Sequence, residues 1–168
     1  NNIFVELGDG VDYQHIKEVF DRGVSEYVTN VRLCKRLINA FYAKWVIAHK
    51  FCDAGDMLGM VSLELFEQDV YKYLLGNKYK LYVSLVESVG KSEKVNSDKT
   101  LSDIREIVKV DAAAVNHIVG TLFPRFGQML SFTSNEHSIK RISVEDNFYY
   151  YMSLGISEDD VLYDDVKK

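Results

Sequence analysis

Proline occurs once in these 168 residues, at Pro124, and cysteine twice, at Cys34 and Cys52. With so little proline and no convincing β-hairpin signal, helices are free to run. The two cysteines lie on one predicted helix, 18 residues and therefore about 27 Å apart, far beyond the ~7 Å that a disulfide spans. They read as buried free thiols, which suits a reducing, cytoplasmic setting. No apolar run approaches the ~18 residues of a membrane span, and the first residues form no basic, apolar, small-residue leader series. The ten glycines build no P-loop, no dinucleotide fingerprint and no G-x-S-x-G elbow. None of His15, His49, His117 and His137 is spaced from another His or a Cys in zinc-ligand style, so each reads as an ordinary core or surface histidine. His49 and Cys52 share a helix face at i, i+3, but a helix interior beside Trp45 and Phe51 is a poor place for a substrate carbonyl. The sequence thus predicts a protein that is not an enzyme, with no cofactor, metal, small-molecule substrate or membrane contact.

What the chain does have is a stretch from Val24 to about Cys52 without proline or glycine. Tyr27, Val31, Cys34, Ile38, Phe41, Trp45, Ala48 and Cys52 recur at helical spacing, which predicts a single helix of ~27 residues, ~40 Å long, around which the rest is arranged. Before it, Asp12 caps a helix ending at Gly23. After it, Asp56 is expected to cap a helix over Met57–Leu75, followed by another over Lys78–Val89. The polar stretch 91–99 reads as a linker between an N-terminal subdomain (1–90) and a C-terminal one (100–168). Beyond it come helices from Thr100 and Asp111, a short apolar helix around Phe126–Phe132, a loop, and two acidic-start helices opening at Ser143 and Ser157. Residues 1–10 suggest a short extended arm. The expected fold is all-α, with about eight helices, the long ones in the N-terminal half and the short ones in the C-terminal half.

Charge is segregated along this chain. Seven of its 25 acidic residues fall between Ser143 and Asp165, a stretch without Lys or Arg. Residues 27–52 carry Arg32, Lys35, Arg36, Lys44 and Lys50 and no acid. A solvated helix face ordinarily fills with Lys and Arg as well, yet it mixes signs to gain i, i+4 pairs. A second acid-free stretch, 70–86, sets Lys72, Lys78 and Lys80 among Tyr71, Tyr73, Tyr79 and Tyr82. Cations interleaved with aromatics suit phosphate and stacking contacts, so Arg32, Lys35, Arg36, Asn39, Lys50, Lys72, Lys78 and Lys80 are the candidate nucleic-acid-binding residues. The acidic cluster Glu158-Asp159-Asp160 lacks the alternating ligands of a calcium loop and reads as helix capping. Tyr149, Tyr150 and Tyr151 cannot all point inward, so a homo-oligomer contact is expected there.

The basic helix VRLCKRLINAFYAKWVIAHK, the helix-only pattern and the aromatic segment NFYYYMSL resemble the all-helical RNA-silencing suppressors of closterovirus type. That resemblance implies RNA binding without strict sequence preference, assembly into a ring and sequestration of small RNAs. RNA rather than DNA is the expected partner. The competing expectation is a helical protein–protein interaction module, such as a viral decoy of a host helical domain.

Overall fold

The computed structural model describes residue 7 and residues 11–82, 92–124 and 139–152, with backbone alone for 92–98. Eight α-helices lie among the described residues, with no strand: α1 (Tyr13–Arg22), α2 (Val31–Ala48), α3 (Ala54–Phe66), α4 (Gln68–Gly76), α5 (Lys78–Tyr82), α6 (Ser92–Ile107), α7 (Ala112–Leu122) and α8 (Phe148–Met152). Two 3-10 turns, Val24–Tyr27 and Glu145–Asn147, join them. The all-α class is as expected. The ordering of lengths is not, because α6 has 16 residues against 9 in α4. No helix of the described residues is long and apolar enough to cross a membrane.

The single helix expected over 24–52 is interrupted. Val24–Tyr27 closes a 3-10 turn, and Asn30 then leaves helical geometry (φ −154°, ψ 165°) to accept the Leu33 N–H on its side chain at 3.0 Å. An Asx side chain that satisfies an orphan N–H is a standard reason to start a helix afresh. The buried face of α2 is Leu37, Phe41, Trp45 and Ala48. Phe41 stacks on Trp45 with ring centres 5.8 Å apart. Val31, expected inward, is exposed at the first position of α2, and Cys34 is only half-buried. Replacing the cap, Asn30→Ala, is expected to cost about 1 kcal/mol in denaturant titrations followed by circular dichroism.

The element at the centre is α3. Every residue from Ala54 to Leu63 is buried, where α2 buries one stripe. A helix apolar nearly all round has to be covered on all sides, and α1, α2, α4 and α7 cover this one. Two glycines allow the approach. A Cβ on Gly55 would lie 2.2 Å from the His15 ring, and one on Gly59 would lie 3.3 Å from both Ile118 and Leu122 of α7. The helix expected over Met57–Leu75 divides at Glu67 (φ −130°, ψ 58°), giving α3 and α4. Glu67 is buried, and its carboxylate accepts the N–H groups of Lys109 (2.9 Å), Val110 (2.8 Å) and Asp111 (3.3 Å). The break thus turns a side chain towards the bend that precedes α7, whose own N-cap, Asp111, takes the Ala114 N–H at 2.8 Å.

The stretch 91–99, expected as a linker, is helical from Ser92 and continues into α6. It is polar but holds neither Gly nor Pro, and Lys, Glu and Ser tolerate a solvated helix. Core residues on both sides of it, among them Phe41, Leu63, Ile104 and Val119, belong to one cluster. The helix expected from Ser143 forms as a 3-10 turn followed by α8. Helix α5 is described only as far as Tyr82. The apolar helix around Phe126, the loop before Ile139, the segment from Ser157 and the N-terminal arm lie outside the described residues, Leu7 excepted.

Candidate functional site

Arg32, Lys35, Arg36 and Asn39 are exposed on α2, opposite Leu37, Phe41 and Trp45, and Lys50 is exposed just past its end. At about 100° per residue the first four span roughly 100° of the helix surface. Among the described residues none of the four cations pairs with a carboxylate. Lysines and arginines elsewhere do: Lys17 with Asp21, Lys44 with Glu64 (2.6 Å), Lys109 with Asp69 (2.6 Å) and Arg141 with Asp56. Arg32 lies in the first turn of α2, where the helix dipole disfavours a cation, and that turn holds no acid. The same face continues C-terminally as Val46 and Ile47, which are 70% and 42% exposed.

The other candidates lie on α4 and α5. Lys72 and Lys80 are exposed, with the Lys80 ammonium 5.5 Å from the Tyr73 ring centre. Lys78 is turned to the protein itself, 3.6 Å from Glu145 and 4.3 Å from the centre of the Tyr149 ring. Of the three consecutive tyrosines, Tyr151 is fully buried, Tyr150 stacks on Phe51 at 4.9 Å, and Tyr149 is exposed.

A second constellation is buried and was not read from the sequence. Asp53, not Asp56, caps α3, taking the Asp56 N–H at 3.0 Å. The Asp56 side chain is thereby free for tertiary partners. Its Oδ1 accepts from His15 Nε2 (2.9 Å), and its Oδ2 accepts from Arg141 Nε (2.7 Å) and the Ile142 N–H (2.8 Å). Arg141 also donates to the Thr121 carbonyl at 3.0 Å. The Tyr151 hydroxyl accepts the Asp53 N–H (2.6 Å) and donates to the Lys140 carbonyl (2.5 Å). His15, Asp53, Asp56 and Arg141 are each at most 8% exposed.

Ligand-type atoms of His15, Asp53 and Asp56 converge within 4.8 Å of one another. Both oxygens of Asp56 already hold donors, one of them a guanidinium. With His15 protonated, two buried cations balance two carboxylates. A dication facing neutral His15 would leave one positive charge uncompensated beside Arg141, a costly state in a desolvated site. The arrangement is an ion-pair cluster rather than a metal centre. Burial pushes the Asp53 carboxyl up, and the neighbouring Asp56 charge adds to that, against His15 and Arg141. Burial likewise pushes the nearby Cys52 thiol up to about 12, so it stays protonated at neutral pH. The His49 ring is turned back to its own helix, with Nδ1 3.2 Å from the Val46 carbonyl.

The sequence carries one hint of this cluster, the Asp-x-x-Asp spacing at 53–56. Nothing marks His15 or Arg141, which lie 41 and 85 residues from Asp56. No protein-family model matches the chain, and no curated protein and no solved structure matches it.

Proposed function

We propose that this protein binds nucleic acid, RNA in the first instance, through phosphate contacts made by the exposed face of α2. The observation that carries the reading is the set of four unpaired cations, Arg32, Lys35, Arg36 and Lys50. Arg32 stands against the dipole preference of its own helix, so local stability does not account for it. Asn39 lies among them as a neutral donor, and Lys72 and Lys80 extend the set on α4 and α5. The resemblance to silencing suppressors points the same way, and self-association through the exposed Tyr149 belongs to the same proposal. Binding of this kind is salt-dependent, because each neutralised phosphate releases a counterion. Four contacts predict a log–log slope of about −3, so affinity falls roughly fifty- to a hundred-and-fifty-fold between 50 and 200 mM salt. Fluorescence anisotropy with a labelled RNA measures this, and the absence of binding at 50 mM salt sinks the proposal.

A second reading rests on Val46 and Ile47, which give the same face an exposed apolar end. It makes the face a dock for an acidic amphipathic helix of another protein. Purification without bound nucleic acid, together with saturable binding of such a peptide at 200 mM salt, would favour it.

A further inference from the structure

The largest investment of buried charge lies away from the α2 face, where His15 of α1, Asp53 and Asp56 of α3, and Arg141 of the 139–152 segment meet. That segment is tied down outside the cluster by the Tyr71 hydroxyl on the Met152 carbonyl, the Tyr82 hydroxyl on the Ile142 carbonyl, Lys140 on the His49 carbonyl and Lys78 beside Glu145. It meets the buried charges as well. Asp56 Oδ2 takes Arg141 Nε and the Ile142 N–H, Tyr151 bridges the Asp53 N–H and the Lys140 carbonyl, and Phe51 stacks on Tyr150. Asp56 reaches the segment with one oxygen and His15 with the other. The His15 ring also lies against Gly55, where a Cβ would fall 2.2 Å away.

We propose that His15 is the proton-controlled half of a latch: charged, it completes a neutral buried quartet that clamps the 139–152 segment onto α3; neutral, it leaves that quartet one negative charge in excess and lets the segment open. The groups facing the ring fix the sign. Asp53 and Asp56 approach from α3, at 3.4 and 2.9 Å. Arg141 approaches from the clamped segment, and on the ring's own helix the Asp12 carboxylate takes the His15 backbone N–H. From α7 the partner is the uncharged Thr121 carbonyl, bonded to Arg141. Tyr151 and Cys52 feel the charges of both aspartates, and Lys140 acts on Cys52.

Burial alone would lower the affinity of the His15 ring for its proton. The Asp56 hydrogen bond and the charges of Asp56 and Asp53 outweigh burial and the repulsion of Arg141, so its pKa is raised above 6.5. A raised folded pKa gives stability that is complete below the unfolded value near 6.5 and is lost as pH climbs through the folded one. Asp53, also raised, works in the same direction: the closed cluster prefers the extra proton. One proton taken up on closure sets a ceiling of about tenfold per pH unit on the change in the closed-to-open ratio.

Cys52, 1% exposed and next in sequence to Asp53, whose N–H meets the Tyr151 hydroxyl, reports opening, and the half-buried Cys34 is the internal standard. In pulse labelling with a thiol reagent, the Cys52-to-Cys34 ratio is expected to rise severalfold from pH 6 to pH 8.5 in the wild type. It should stay flat in His15→Gln, which keeps the donor to Asp56 without the titrating charge. Equal rises in both proteins, or no rise in either, would overturn the latch. So would a wild-type response that disappears on adding a chelator, since that would make a bound metal the clamp. Should His15→Gln fail to fold, NMR of the wild-type histidine rings decides. A ring titrating above pH 6.5 in step with Cys52 labelling supports the proposal, and its absence refutes it.

Discussion

Reversing three charges on α2, Arg32→Glu with Lys35→Glu and Arg36→Glu, is expected to weaken RNA binding about a hundredfold or more while leaving the fold intact. Three lost phosphate contacts at roughly 1 kcal/mol each already amount to two orders of magnitude, and the new carboxylates repel phosphate besides. The salt dependence should flatten by about two units of slope at the same time. The three side chains are exposed and unpaired, so no partner is orphaned. The residue now at 32 would agree with the helix dipole, and a new like-charge i, i+4 pair at 32 and 36 offsets a few tenths of a kcal/mol of that. The melting temperature should therefore stay level within a few degrees. Anisotropy and thermal circular dichroism on the same sample check both halves. Unchanged affinity in the triple variant would remove α2 from the interface, and lost ellipticity would mean these residues serve folding.

The largest effect on stability is expected from Asp56→Asn. The shape is kept, but Arg141 and protonated His15 lose the carboxylate between them in a site where Asp56 is fully buried. Breaking a buried ion pair from one side costs about 3–5 kcal/mol, because the remaining charge stays desolvated and unpaired. Against typical stabilities of ~5–15 kcal/mol, that brings the variant close to unfolding at 37 °C. Urea titrations at pH 6 measure it. Adding Arg141→Met should recover part of the loss, since the guanidinium is then no longer stranded and only His15 lacks its Asp56 partner. If the double variant is as unstable as the sum of the two singles, Asp56 and Arg141 are not coupled in the way the 2.7 Å contact implies.

The helix-only class was legible because it rests on local signals. Asp12 and Asp111 cap the helices where an acceptor was expected, and Gly23 ends α1. Errors arose where a local signal had two outlets. Asp53 and Asp56 are both competent caps three residues apart, and which one serves depends on whether the other finds partners elsewhere. Glu67 reads as one more polar residue in a continuous helical pattern. Its role appears once the three N–H groups before α7 arrive opposite it. Length was also a poor guide to centrality. Helix α2 drew attention through its size and its single Trp, yet the buried centre is the shorter α3, where Ala54, Gly55 and Gly59 let neighbours approach on every side.

The amino-acid order by itself determined the helical content, the starts of α1, α5 and α7 and the exposed, acid-free character of the basic face on α2. Each follows from spacing within a turn or two, the range over which backbone hydrogen bonds and side-chain direction act. Tertiary structure alone decided the buried charge cluster. His15, Asp56 and Arg141 come from positions tens of residues apart, and the energy that makes them a unit appears only when water is removed from between them.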